Sequence, residues 1–490
     1  MAATGVVWAI VWALTRRPEL SALLASAFTL LFHSAGHLYS GHVQGLIGPL
    51  VAAAGLPGSG IRVAIAILVV GGVLGFAIFR LHAFHTPITI FFNVGGASLL
   101  LMTVVTIGRH EWDLNRPPPA GEDSLSRAVL SGSIQPASAM PDVYYIILDG
   151  YGREDVLGDL YGFDNQPFLD ALGDMGFQVN PAARSNYMQT ALSLSSSLNA
   201  SYLDGMLTPE ERQGASRTPL SRLLLHNQVE RVFAQAGYTT VGIESGYRPT
   251  ELVDSDIYVS THTGSATLIE RLLIENSALA ALQAWSGAPR DLRFPGYQLH
   301  RQRVLAEAAS LPREVASIPG PKFVFAHFLV PHPPFVFDAD GSPRQPSYPY
   351  VLLDGSAFPG DQRTYVASYR DQLVYTNSLI LETLRALVAG RGQGAIIIVQ
   401  GDHGPGSRLD WQSEEGTDLR ERMGILLAIR LPPDSKRPLQ SVNTPVNLFR
   451  AVFNDLLDSD LPLLPDRSYF STWDHLYEFQ AVPEADVAPR

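Results

Sequence analysis

Four side chains on well-separated segments of this chain have the chemistry to hold a divalent cation against a nucleophile. Asp149 closes the apolar run that begins at Val143, and Asp402 and His403 close another in Gly401-Asp402-His403-Gly404. Thr190 stands where a helix is expected to begin. A carboxylate and an imidazole suit Zn²⁺ or Mn²⁺, with Mg²⁺ a third candidate. A cation would lower the pKa of the hydroxyl and generate an alkoxide, while a helix N-terminus would favour an incoming phosphoryl oxygen. Each residue also has a plainer reading. Asp149 can form a turn, Asp402 can cap a helix, and Thr190 can cap its own. Ser193, Ser195, Ser196 and Ser197 compete with Thr190 for the nucleophile's role.

Two histidines lie in Phe325-Ala-His327-Phe-Leu-Val-Pro-His332-Pro-Pro-Phe335. His327 falls inside an apolar strand and is expected to be a buried structural imidazole. His332 follows the strand among prolines, where it can face a cleft as a substrate-phosphate ligand or as the acid for a leaving group. The alternative is an inert loop histidine.

The elements that must position these groups alternate. Nearly continuous apolar runs at 143–149, 238–244, 322–330, 395–400 and 424–430 have the pattern of parallel strands covered on both faces. Helical patterns lie near 190–203, 219–236, 267–284, 298–311, 362–389 and 445–457. In 362–389, Tyr365, Tyr369, Leu373, Ile380, Leu384 and Leu387 share one face and Gly390 supplies a stop. The alternation predicts a wound α/β domain with ligands at the carboxyl ends of its strands. Gly401 and Gly404 would permit the sharp turn that lets adjacent Asp and His reach one ion.

At 490 residues the chain needs at least two parts. Residues 1–108 carry only Arg16, Arg17, Glu19, Arg62 and Arg80, a net +3, so the rest carries −15 of the −12 total. An acidic domain without basic stretches excludes nucleic acid as a partner. Apolar stretches at 3–14, 20–39, 61–79 and 87–107 predict transmembrane helices, the first being short. A signal peptide fits less well, because several apolar stretches follow and no cleavage pattern does. Arg16-Arg17 and Arg80 place their turns on the cytoplasmic side, so the last span delivers the remainder outside. The same count leaves the N-terminus outside and suggests a preceding span. Residues 109–141 read as a juxtamembrane linker and 476–490 as a loose acidic tail. With no cysteine, disulfides and thiol catalysis are excluded.

Leu148-Asp149-Gly150, the Thr190 segment, His332-Pro-Pro-Phe335 and Gly401-Asp402-His403-Gly404 together resemble the alkaline phosphatase superfamily. The likeness is to its membrane-anchored branch, the lipoteichoic acid synthases and phosphoethanolamine transferases with sulfatase-like domains, and covers roughly residues 141–470. It implies that Asp149, Thr190, Asp402 and His403 bind one catalytic metal, that Thr190 is the nucleophile, and that His332 contacts substrate. Tyr151, Arg153 and Arg422 are further candidates for head-group recognition. Sulfatases make formylglycine from Cys or Ser in a Cys/Ser-x-Pro-x-Arg motif, and no such motif occurs here. The Asp-x-x-x-His of two-metal relatives is also missing, which favours one cation.

The expectation is therefore a transmembrane helical domain (1–108), the linker, an alkaline-phosphatase-like α/β/α domain with a mostly parallel sheet (142–475), and the tail. Its function would be transfer of a phospholipid-derived head group onto an envelope glycan or lipid at the outer side of the cell membrane. A phosphodiesterase or phosphatase of the same superfamily, or a catalytically silent membrane scaffold, are the alternatives.

Overall fold

A computed structural model describes residues 2–37, 85–116, 125, 140–261, 277, 295–344, 348, 350–432, 435 and 442–490. The chain divides into two compact units, Met1–Arg109 with Gly264–Pro295, and His110–Thr263 with Gly296–Arg490. Helices occupy Ala2–Thr15, Pro18–His37 and His85–Asn115. Among the described residues no helix is long and apolar enough to cross a membrane. The expected spans 3–14, 20–39 and 87–107 fall on these three helices, whereas 61–79 lies outside the described residues. On His85–Asn115, Leu99, Leu100, Leu101, Met102 and Val104 are 64–69% exposed. Most of the expected linker and the expected helix 267–284 also lie outside the described residues.

The second unit is built on a seven-stranded sheet. Its strands are β1 (Val143–Leu148), β2 (Phe177–Val179), β3 (Thr239–Ile243), β4 (Ile257–Val259), β5 (Lys322–Phe328), β6 (Ile396–Gly401) and β7 (Leu427–Arg430), in the order β2-β7-β6-β1-β5-β3-β4. β1 runs parallel to β5 and β6, and β3 runs parallel to β4 and β5. β7 is antiparallel to β6, contrary to the expectation for 424–430, and β2 is antiparallel to β7. A short apolar run carries no direction, so burial alone could not distinguish the two senses.

Every residue of β1, β5 and β6 is buried. Alternate side chains of a strand point to opposite faces. Tyr145 and Ile147 thus enter one core with Phe325, Ile398, Phe233 and Phe449. Phe233 stacks on Phe323 with centroids 4.5 Å apart, and Phe449 meets Tyr145 edge-on at 5.0 Å. Burying each such ring contributes roughly 1.5–3 kcal/mol.

The helix Gln362–Ala389 begins at Asp361, whose carboxylate accepts from Thr364 N–H at 2.7 Å, and it stops at Gly390. Its buried face holds the six residues expected, together with Gln372, Thr376 and Asn377. The expected helix 219–236 is two helices, Thr218–Leu225 and Gln228–Gln235, because Asn227 caps the second through Glu230 N–H. The tail is ordered: β8 (Ser468–Phe470) pairs with β9 (Gln480–Val482), and Val487 is buried.

Register places the site. Leu148 stands opposite both Phe328 of β5 and Gly401 of β6, so the residues that follow all three strands emerge at one edge. Asp149 N–H donates to Phe328 O at 2.9 Å, and His332 N–H donates to Asp149 O at 3.0 Å. Gly150, at φ +70°, turns its N–H onto Asp402 Oδ1 at 3.0 Å, a conformation that glycine adopts without strain.

Candidate metal centre and nucleophile

Asp149 leaves β1, Asp402 and His403 leave β6, and Thr190 opens the helix Thr190–Ser197. The helix is tied to the sheet edge by Ser193 Oγ, which donates to Asp402 O at 2.7 Å. Ser195, Ser196 and Ser197 are likewise committed, to Leu220 O, Ser201 O and Leu194 O. Thr190 alone of the five hydroxyls points to the histidine: its Oγ1 lies 3.1 Å from His403 Nε2. Gly404 serves the turn by close approach and not by a positive φ, since a Cβ there would stand 2.0 Å from Glu421 O.

His403 Nδ1 faces Gly404 O at 2.9 Å. A carbonyl only accepts, so Nδ1 carries the proton and the Nε2 lone pair points into the site. Burial pushes this imidazole below its ordinary pKa and the Arg422 charge pushes it further, which keeps the ring neutral. Nε2 lies 3.6 Å from Asp149 Oδ1 and 3.4 Å from Asp402 Oδ2. Both of these carboxylate oxygens are buried without a hydrogen-bond partner.

The two carboxylate oxygens, buried without donors, would repel one another in a dry site unless a cation lay between them. Ligands bound about 2.0–2.1 Å from a tetrahedral zinc stand roughly 3.3–3.4 Å apart, close to the separations here. Asp149, His332 and His403 bring one ligand atom each within 4.8 Å of one another, as do Asp149, His327 and Asp402, and such oxygen and imidazole donors fit a divalent cation.

Behind Asp149 stands His327, wholly buried, with Nε2 3.5 Å from Asp149 Oδ2 and Nδ1 2.7 Å from Thr250 Oγ1. The strand position did bury it, as expected, but against the site carboxylate. Burial raises the Asp149 carboxyl; His332, His327 and His403 outweigh that and hold it well below the usual carboxylate range.

A cleft of about 520 Å³, open to solvent, is lined by Asp149, Gln189, Thr190, Arg217, Tyr247, His332, Asp354, His403, Trp411, Arg422 and Trp473. His332 Nδ1 contacts the carbonyl oxygen of Pro333, so that nitrogen is the donor and Nε2 is left to the cleft, 3.7 Å from Asp354 Oδ2. Arg422 is brought to the same wall. Its Nη1 donates to Asp354 Oδ2 at 2.6 Å and Gly404 O at 3.0 Å, and its Nε to Met188 O at 2.8 Å. Burial raises Asp354, but Arg422, His332 and His403 override it and lower its pKa.

Arg153 and Tyr151 are not brought to the cleft. Arg153 pairs with Asp155 at 2.6 Å and donates to Ala183 O and Val487 O, both at 3.1 Å. The Tyr151 hydroxyl donates to Asn377 Oδ1 at 2.6 Å. Sequence reasoning missed Asp354, Gln189 and Arg217. Asp354 is a single acid in an aperiodic stretch and carries no sequence signal.

No curated protein matches the chain by sequence. Among solved structures, the C-terminal periplasmic domain of EptC from Escherichia coli, in complex with Zn, is 14% identical, with a TM-score of 0.45, covering 72% of this chain and 97% of that one. The integral membrane lipooligosaccharide phosphoethanolamine transferase A of Neisseria meningitidis is 12% identical, with a TM-score of 0.42, covering 81% and 70%. The phosphonate monoester hydrolase of Agrobacterium radiobacter is 13% identical, with a TM-score of 0.43, covering 67% and 80%. The family model named Sulfatase matches residues 141–454, a stretch that contains Asp149, Thr190, His332, Asp402 and His403. The chain belongs to the Sulfatase family, within the alkaline phosphatase superfamily of enzymes.

Proposed function

We propose that the chain is a membrane-anchored, metal-dependent phosphotransferase. It moves a phospholipid-derived head group, of phosphoglycerol or phosphoethanolamine type, onto an envelope glycan or lipid through a phosphothreonine at Thr190. The observation that carries this reading is the convergence of Thr190 Oγ1 and His403 Nε2, 3.1 Å apart, with the unpartnered Asp149 Oδ1 and Asp402 Oδ2. Sulfate-ester hydrolysis through formylglycine is disfavoured, since the chain has neither Cys nor Ser-x-Pro-x-Arg. The exposed apolar side chains all round the helix at Leu99–Val104 and the apolar, nearly uncharged first hundred residues support a membrane anchor.

Asp149, Thr190, Asp402 and His403 would hold a divalent cation, whose Lewis acidity would favour ionised Thr190 and offset phosphoryl charge. Thr190 Oγ1 then attacks phosphorus, aligned by the start of its helix, and the bond to the lipid oxygen breaks. For this His332 must carry protons on both ring nitrogens, and its Nε2 proton passes to that leaving oxygen. An acceptor hydroxyl next attacks the phosphothreonine, His332 takes the hydroxyl proton, and Thr190 Oγ1 is released. Arg422, fixed by Asp354 and Gly404 O, keeps His403 neutral and in place.

The test incubates the purified full chain with head-group-labelled phospholipid, with and without an acceptor glycan. Label on Thr190, passed to the acceptor when it is present, supports the proposal. Free labelled head group without a labelled protein intermediate contradicts it and favours a hydrolase using water directly. Tight metal binding with no lipid turnover leaves a silent scaffold.

A further inference from the structure

Gln189 holds the cap position before Thr190–Ser197 with extended backbone (φ −127°, ψ 139°), yet its side chain caps nothing. It lines the cleft beside Thr190 and His403 instead, although the residue is only 4% exposed. Gln189 Oε1 accepts from Arg217 Nη1 at 3.0 Å. A guanidinium has donors only, so this contact fixes which end of the amide is oxygen. The NH₂ end must face away from Arg217, and Gln189 Nε2 is buried without a partner. Arg217 is held in turn, its guanidinium 4.1 Å over the ring centroid of Trp473, another wall of the cleft.

The other cationic donor at the cleft is heavily committed. Arg422 gives Nε to Met188 O and Nη1 to Asp354 and Gly404 O, with Nη2 3.3 Å from His403 Nε2. A phosphoryl group reaching Thr190 would find in Gln189 a neutral amide adjacent in sequence to the nucleophile, its oxygen held by Arg217 and its two protons unspent.

We propose that Gln189 is a catalytic donor to a non-bridging phosphoryl oxygen, and that Arg217, packed on Trp473, is the residue that positions it. This rests on the phosphothreonine reading above. The contact transfers no proton and breaks no bond. It strengthens as negative charge gathers on the transferring group, as an oxyanion-hole donor does.

Orthovanadate, which takes the five-coordinate geometry of a transferring phosphoryl group, is the probe. It is titrated calorimetrically into the metal-loaded full chain, with metal content and melting temperature measured alongside. Gln189→Ala should weaken vanadate binding about 10²-fold with metal content unchanged. Gln189→Glu, nearly the same shape but presenting an anion, should weaken it at least as far. Arg217→Ala should lose part of the same effect, and Gln189→Ala/Arg217→Ala should bind no worse than Gln189→Ala alone. Unchanged binding in Gln189→Ala and Gln189→Glu overturns the donor, as does a loss that merely follows loss of metal. Losses that multiply in the double variant overturn the positioning role of Arg217. A wild-type chain that holds metal but binds no vanadate overturns the donor together with the phosphothreonine reading.

Discussion

Two buried polar regions lie on either side of the short helix Leu419–Met423, and they are finished differently. On one side, Arg153 donates to Asp155, Ala183 O and Val487 O, while Arg420 pairs with Asp155 at 3.1 Å and Asp159 at 2.8 Å. Glu421 beside them accepts from the Tyr161 hydroxyl, from Ser407 Oγ and from two backbone N–H groups. On the other side, at the carboxyl edge of β1, β5 and β6, Asp149 Oδ1, Asp402 Oδ2 and Gln189 Nε2 make no hydrogen bond, and His327 Nε2 has only Asp149 Oδ2 at 3.5 Å. Burial is common to both regions. What separates them is leftover hydrogen-bonding capacity on the carboxylates, imidazole and amide at the second. The first region locks the tail and the helix Glu154–Tyr161 onto the domain; the second is where the proposed function puts an ion and a substrate.

The comparison predicts opposite responses to substitution, the largest at the open edge. Thr190→Ala and Asp402→Asn should each lower head-group transfer by about 10⁴-fold or more, as expected when a group acting within a unit is removed. Thermal unfolding should confirm that both variants remain folded. Asp402→Asn should also release the metal, measured by elemental analysis, while Thr190→Ala should keep most of it.

His332→Gln should cost about 10²–10⁴-fold in kcat toward a lipid substrate. The loss should shrink sharply with a p-nitrophenyl ester, whose leaving oxygen needs no proton. An equal loss with both substrates would remove His332 from the acid's role and leave it a binding residue.

In the closed region the readout should be stability. Arg153→Ala takes one of two arginines from half-buried Asp155, which keeps Arg420, together with the donors to Ala183 O and Val487 O, and should cost about 1–3 kcal/mol in denaturant unfolding. Turnover per folded molecule should stay as in the wild type. A selective loss of turnover would return Arg153 to the substrate side and erase the contrast drawn here.

The smallest effect concerns pH. Burial pushes the Glu421 carboxyl up to about 7. An acid whose folded pKa is raised binds more protons folded than unfolded, so its stabilising contribution is complete below about 4.5 and gone above about 7. Stability should therefore decline as pH rises through that window. Glu421→Gln should flatten the slope by up to about 3 kcal/mol across it. Glu230, also raised to about 7 by burial, gives a residual slope of the same sign.

How much of this could be read in advance follows from what each signal is made of. Asp149 and Asp402 were legible because fully apolar runs must become central strands, and the residues after them must emerge at the sheet edge. The helix Gln362–Ala389 was legible from its 3.6-residue period and its glycine stop. The antiparallel sense of β7 was not, because β7 presents an apolar run of either polarity. The break at Asn227 was signalled by Asn three residues before Glu230 but hidden within a continuous helical pattern. β2 and β4, three residues each, are too short for periodicity to register.

Sequence distance also misled at the arginines. Arg153 follows the first motif by four residues, yet it sits at the start of a helix and turns back to Ala183 and Val487. Arg422 lies far from every motif but faces the cleft. Asp354 and Gln189 depend on partners 68 and 28 residues away, Arg422 and Arg217. Only the fold makes those meetings visible.

The central claim is that a single cation joins the threonine oxygen to the carboxylates and imidazole at the edge of the sheet. Anomalous-difference density from crystals grown with zinc or manganese tests it most directly. The account predicts one peak within bonding distance of Asp149, Thr190 Oγ1, Asp402 and His403 Nε2. A peak that leaves out Thr190, or an edge that stays empty at saturating metal, would contradict it.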